Sequence, residues 1–218
     1  MIKTGVLVSG SGSNLQAIID AIEAKRLDAS ISVVISSNPK AFALERAKKH
    51  GIPTEVILKD SFPSREDYDR EVVRILKSYG VELVVLAGFM RLISKVMLEA
   101  FPMRILNIHP SLLPSFPGLE VQKKAIEHGV KFSGCTVHFV DEGLDSGPII
   151  IQAVVPVLDD DTAESLSKRI LAEEHRIYSQ AIQLISEGRL EVRGRRVTVK
   201  NNKVETGAME NPKAAIFD

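Results

Sequence analysis

The feature that most limits how this chain can fold is the unbroken apolar run Leu83–Ala87. A strand with no polar residue on either side must have both faces covered, as happens where helices flank a parallel sheet. Its neighbours supply the helices. Ser64 precedes an amphipathic stretch in which Tyr68, Val72, Ile75 and Leu76 share one side and Gly80 closes the pattern, and a shorter helix follows the run and ends at Phe101. Gly5–Val8, Ile31–Ile35 and Thr54–Leu58 read as further strands, with helical patterns beginning at Leu15 and at Ala41 between them. Such alternation predicts an α/β fold, an open, mostly parallel twisted sheet with helices on both faces.

The second half adds a strand at Arg104–His109, a helix at Leu119–His128, and strands at Phe132–Val140 and Pro148–Val157 that read as an antiparallel edge hairpin. Asp161 or Thr162 can cap a long helix ending near Glu187, Leu190–Lys200 suggests a last hairpin, and the stretch from Met209 reads as a loose tail. At 218 residues the expected division is a catalytic domain over 1–190 and a C-terminal hairpin and tail over 191–218.

Composition narrows the function classes. Lys plus Arg and Asp plus Glu both number 28, so net charge draws the chain neither to nucleic acid nor to a membrane surface. Small-molecule partners are expected. Cys135 is the only cysteine, which excludes an intramolecular disulfide framework and fits a reducing compartment. The N-terminal apolar stretch is too short for a signal peptide, and no run approaches the roughly 20 apolar residues of a membrane span, so the chain reads as cytoplasmic. Monomer and homodimer both stay open.

Three segments carry chemistry. Asn107 and His109 stand two apart at the end of a strand, so both side chains point to one face. Pro110, Pro114 and Pro117 then force a stiff loop. A second segment, DEGLDSGP, carries Asp145 in a turn, and an Asn, a His and an Asp from two loops would make an acid/base site if the fold joins them. In the third, Gly10 and Gly12 lead from strand to helix, where Ser13 or Asn14 can cap and the free N–H groups would face a phosphate. It is not a dinucleotide fingerprint, because Leu15 stands at the third glycine and Ser36, Ser37 and Asn38 supply no acid after the second strand.

Single residues add to this. Glu174 interrupts the apolar stripe of the long helix, and a carboxylate there needs a partner. Arg65 sits in a first helical turn, against the helix dipole, and reads either as a contact to a partner or as a solvated surface side chain. Phe89, Met90 and Leu92 follow the central strand, with Arg91 among them, and suit a flat organic ring, although Met90 and Leu92 read equally as core packing under a loop. Cys135 and His138 fall on opposite faces of one strand; the cysteine reads as packing, and the histidine as structural or adjacent to the site. Asp141, Glu142 and Asp145 lack the spacing of a calcium loop, so no metal is expected.

Taken together, the Gly12–Asn14 loop, AGFMRL, NIHPSLLPSFPG and DEGLDSGP closely resemble the phosphoribosylglycinamide formyltransferases, folate-dependent enzymes of purine synthesis, over residues 1 to about 190. The resemblance implies a Rossmann-like formyltransferase fold, with 10-formyltetrahydrofolate as co-substrate and no metal. It implies catalytic roles for Asn107, His109 and Asp145, nucleotide contacts at Gly12, Ser13, Asn14 and Glu174, and folate contacts at Arg65, Met90, Arg91, Leu92, Ile93, Asn107, Val140 and Asp141. The residue types suit the chemistry. Amine attack on a formyl carbon builds negative charge on its oxygen, which Asn107 and a cationic His109 could stabilise while Asp145 favours the charged imidazole and moves a proton.

Two related enzymes are less well matched. A formyltetrahydrofolate hydrolase would carry a regulatory domain ahead of the first strand, and a methionyl-tRNA formyltransferase a sizeable RNA-binding domain after the long helix. A non-catalytic folate or nucleotide binding module would have no need of the Asn, His and Asp set.

Overall fold

The computed structural model describes residues 1–201 and 209. Strands β1 (Ile2–Val8), β2 (Ala29–Ser36), β3 (Thr54–Val56), β4 (Leu83–Leu86) and β5 (Ile105–His109) are parallel and stand in the order β3-β2-β1-β4-β5. Chain direction along the sheet reverses between β1 and β4, and such a switch point leaves a crevice outside the strands' C-terminal ends. β3 stops at Val56, short of the expected Leu58, and a 3₁₀ turn at Lys59–Ser61 follows.

Beyond β5 the pattern becomes antiparallel. Strand β6 (Phe132–Phe139) pairs with β5, and β7 (Ile149–Pro156) returns beside it as the expected hairpin. The last hairpin, β8 (Leu190–Arg193) and β9 (Arg196–Val199), joins the same nine-stranded sheet through a parallel contact of Ile149 with Arg196, so β8 forms the outer edge. The tail expected from Met209 onward lies outside the described residues, Met209 apart.

The helices are α1 (Ser13–Glu23), α2 (Phe42–Lys49), α3 (Arg65–Ser78), α4 (Lys95–Ala100), α5 (Val121–Glu127) and α6 (Ala163–Ser186). On one face Leu15, Ile18, Leu44, Ala125, Leu166 and Ile170 pack with Val6, Leu83, Val85 and Leu106. On the other, Tyr68, Val72, Leu76 and Met97 pack with Leu7, Val84, Leu86 and Ile105. Alternate residues of β4 thus enter different cores, which is why its sequence is apolar without interruption.

Caps set where the helices begin. Ser64 accepts from the Asp67 N–H at the start of α3, and Thr162 and Ser165 cap α6 reciprocally. Tyr178 of α6 reaches across to the ends of the central strands, its buried hydroxyl lying 2.9 Å from the Leu86 carbonyl and 3.1 Å from that of Leu106. The strand ends that flank the crevice are held by this contact.

Candidate active site

Asn107 and His109 lie on one face of β5, opposite His138 and Thr136 of β6. The loop after them is pinned to β6 and β7. Thr136 Oγ1 donates to the Ser111 carbonyl at 2.7 Å and accepts from the Leu113 N–H, while Gln152 Nε2 donates to the Leu113 carbonyl at 2.9 Å. The proline-rich stretch is therefore a fixed wall.

Asp145 closes the arrangement from the turn between β6 and β7, with φ 50°. A positive φ costs a non-glycine residue energy, and the side chain's bonds offset it. Its Oδ2 accepts from the Gly118 N–H at 2.9 Å and stands 3.3 Å from His109 Nδ1, and its Oδ1 accepts from Asn107 Nδ2 at 3.4 Å. The three residues that the sequence placed on two loops meet at one carboxylate.

His109 is buried, and its Nε2 donates to the Phe116 carbonyl at 2.9 Å. Acceptors therefore face both of its ring nitrogens. His138 behaves differently. Its Nδ1 donates to the Phe139 carbonyl at 2.8 Å, and its Nε2 lies 3.2 Å from Asn107 Nδ2. Burial holds its pKa below the ordinary 6.5, so the ring is neutral and Nε2 accepts from the amide.

Next to this cluster, Asn14 Nδ2 donates to Glu174 Oε2 at 2.7 Å. Both residues are buried, at 9% and 8% exposure, and burial raises the Glu174 pKa despite the opposing pull of Asn14 and nearby His109. The helix cap differs from expectation. Gly12, at φ 72°, is the N-cap, Ser13 is the first helical residue, and Asn14 spends its side chain on Glu174. A Cβ on Gly12 would stand 2.6 Å from that of Ala43, so the close approach of α2 requires glycine there.

Helix α2 also turns the loop. Ala43 N–H donates to the Gly10 carbonyl at 3.1 Å and Arg46 Nε to the Ser11 carbonyl at 3.0 Å. In a trans peptide N–H and C=O point oppositely, so the following N–H groups of Ser11 and Gly12 face away from α2. Together with the first-turn N–H groups of α1, which have no partner within the helix, they make a candidate anion cradle.

The segment after β4 forms the other wall. Met90 and Leu92 are 71% and 56% exposed, Ile93 is half-buried, and the Met90 N–H donates to Ser9 Oγ at 3.3 Å. Arg91 stacks 3.9 Å over the Tyr68 ring, and the Ser94 N–H donates to Asp69 at 2.7 Å, tying this segment to α3. Arg65 is exposed at the start of α3. Val140 N–H donates to the Ile105 carbonyl, and Asp141 Oδ1 accepts from the Gly143 N–H and Ser146 hydroxyl, holding its own turn.

Sequence reasoning left His138 ambiguous and missed Arg46, the Phe116 carbonyl and the Gly118 N–H. Only the strand alternation that put His138 near the site was there to be read. Two surface hollows, around Tyr79 between β3 and α3 and around Arg176 along α6, lie away from Asn107, His109 and Asp145. Among the described residues no group of three or more His, Cys, Asp or Glu could hold a metal ion, and no helix is long and apolar enough to cross a membrane.

Comparison with known proteins decides the family. The formyl transferase family model matches residues 2–182. The chain belongs to the formyl transferase family. Phosphoribosylglycinamide formyltransferase of Escherichia coli strain K12 is 45% identical over 187 residues, covering 86% of this chain and 88% of that protein. A trifunctional purine biosynthetic protein, adenosine-3, of Drosophila pseudoobscura pseudoobscura is 52% identical over 190 residues, and the chain spans 14% of that longer protein. The solved glycinamide ribonucleotide transformylase 1 of Symbiobacterium toebii superposes with a TM-score of 0.90 at 57% identity, covering 91% of this chain and 94% of that one. The resemblance drawn from the motifs is borne out, as is the Rossmann-like formyl transferase fold.

Proposed function

We propose that this chain transfers the formyl group of 10-formyltetrahydrofolate to the amine of 5'-phosphoribosylglycinamide, giving the N-formyl product and tetrahydrofolate in de novo purine synthesis. The names of the Escherichia coli and Symbiobacterium toebii relatives support the reaction, and one observation carries it to this site: the Asp145 carboxylate meets both His109 and Asn107.

In this reading the amine nitrogen attacks the formyl carbon and forms a C–N bond while the carbonyl electron pair moves to oxygen. Asn107 Nδ2 and a His109 N–H donate to that oxyanion. The long 3.4 Å Asn107–Asp145 bond gives way first, and His109 Nε2 exchanges the Phe116 carbonyl for the oxyanion. Asp145 takes the proton from the new ammonium and returns it, directly or through water, to the leaving folate nitrogen as the old C–N bond breaks. No net proton is lost.

The nucleotide's phosphate rests on the Gly12, Ser13 and Asn14 N–H groups, and Glu174 accepts from the ribose hydroxyls. The folate lies along Met90, Arg91, Leu92 and Ile93, with Arg65 near its acidic end, Asn107 at the formyl group, and the backbone of Val140 and Asp141 at its ring. The catalytic unit is residues 1–190, its partners are these two small molecules, and its compartment is the cytoplasm.

Absorbance of the deformylated folate, followed with and without the ribonucleotide, tests the reaction. Release that requires the nucleotide is expected. Equal release without it would make the chain a hydrolase, and no release a binding module.

A further inference from the structure

Asn107 can serve an oxyanion only if its NH₂ end, and not its carbonyl oxygen, faces the formyl group. The amide is nearly symmetric in shape, so sterics alone do not choose between the two orientations. Its neighbours do. Asn107 and His138 are cross-strand partners in the β5–β6 ladder, an arrangement that brings side chains on one face into contact. His138 Nδ1 is 2.8 Å from the Phe139 carbonyl, an acceptor only, so that nitrogen carries the ring proton. The neutral ring then offers Nε2 as a lone pair, 3.2 Å from Asn107 Nδ2.

We propose that His138 is a positioning residue for formyl transfer: through its Nε2 lone pair it holds the Asn107 amide with its second N–H directed at the formyl oxygen. This rests on the site reading above. The Asp145 carboxylate pulls the same way, since its Oδ1 accepts from Nδ2 and would repel the amide oxygen. Asp145 is only engaged at 3.4 Å and must also serve His109 and the Gly118 N–H. His138 has no such competing duty. With Nδ1 held by Phe139, it keeps the amide oriented while Asp145 handles the proton.

The charged and titratable groups facing His138 are Asp145, whose Oδ1 is 3.9 Å from Nε2, together with His109 and Asp141. A protonated Nε2 would lose its lone pair and turn the amide around, presenting a carbonyl oxygen to the developing oxyanion. The register supplies the acceptor, and the buried position of His138, 2% exposed, keeps it one.

Steady-state kinetics of His138→Leu and His138→Gln test the proposal. Loss of a full oxyanion donor costs roughly 10²–10³ in rate, and a misdirected one should cost about tenfold or more. His138→Leu is expected to lower kcat by about tenfold to a hundredfold with both KM values within about threefold, and His138→Gln, whose Oε1 accepts as Nε2 does, to recover most of that rate. Adding His138→Leu to Asn107→Ala should cost no more than Asn107→Ala alone.

Equal losses in the two His138 variants, or a loss that persists in full on the Asn107→Ala background, would overturn it. Should the leucine variant fail to fold, ¹⁵N shifts of the wild-type histidine decide the point: a proton on Nδ1 is expected, and a proton on Nε2 would end the proposal. The site reading fails separately, by wild-type-like turnover of Asn107→Ala.

Discussion

Asn14 and Glu174, from the first turn of α1 and the middle of α6, are joined by a 2.7 Å hydrogen bond inside the protein. The bond engages one carboxylate oxygen and leaves the other free of Asn14, and under the proposed function that oxygen accepts from the ribose while α1 holds the phosphate. Glu174→Ala should raise the nucleotide KM more than the folate KM. The reverse ranking in a two-substrate assay would refute the role.

The same pair sets a pH dependence. Burial, the largest influence, raises the Glu174 pKa above the ordinary 4.5, so as pH falls the carboxylate takes up a proton earlier than an exposed one. A protonated Glu174 loses acceptor capacity, and the nucleotide KM should climb on the acid side, starting above pH 4.5. Asn14→Ala removes a donor that favours the charged form and should move that rise to higher pH. A KM that stays flat with pH in both proteins would contradict this.

Arg46 offers a prediction of its own. It bonds the Ser11 carbonyl and stacks 4.9 Å over Phe42, so it stiffens the anion cradle while bringing a positive charge to a loop that has none. Hydrogen bonds to charged groups contribute about 1.5–3 kcal/mol, so Arg46→Gln should raise the nucleotide KM about tenfold or more. The nucleoside lacking the phosphate should bind both proteins alike, and a loss of equal size on it would show a merely structural role.

Much of this was legible in local pattern. β4 announced a two-faced sheet because both its faces are core, Asn107 and His109 alternate along one strand, and Glu174 stood out as polar where the helix stripe required apolar. The unread parts depend on register between distant segments. Nothing near His138 in sequence says that Asn107 is its ladder partner, and nothing near Arg46 says that it reaches the Ser11 carbonyl. The cap of α1 was misread for a similar reason: Asn14 has the chemistry to cap, but α6 brings Glu174 close enough to claim its side chain. Joining of the last hairpin to β7 rests on a single parallel contact that no local pattern encodes.

Arg91 and Tyr68 separate binding from stability. Burial pushes the Tyr68 hydroxyl up to about 12, and that hydroxyl has no hydrogen-bond partner among the described residues, while the ring face carries Arg91. Tyr68→Phe should keep the folate KM and lose no stability, since no bond is broken. Tyr68→Leu removes the cation–π contact, worth about 0.5–2 kcal/mol, and leaves a core cavity, so it should lower the melting temperature and raise the folate KM but not the nucleotide KM. Thermal melts with folate titrations check both, and a folate KM that rises in the phenylalanine variant would count against the stacked arrangement.

In the proposed reaction His109, held against Asp145, stabilises the oxyanion of formyl transfer. That role is tested most directly by the rate of His109→Ala with both substrates saturating. A fall of roughly 10²–10³ in kcat, with the variant folded and still binding both substrates, is the predicted result. Turnover close to that of the wild type would rule that role out for His109.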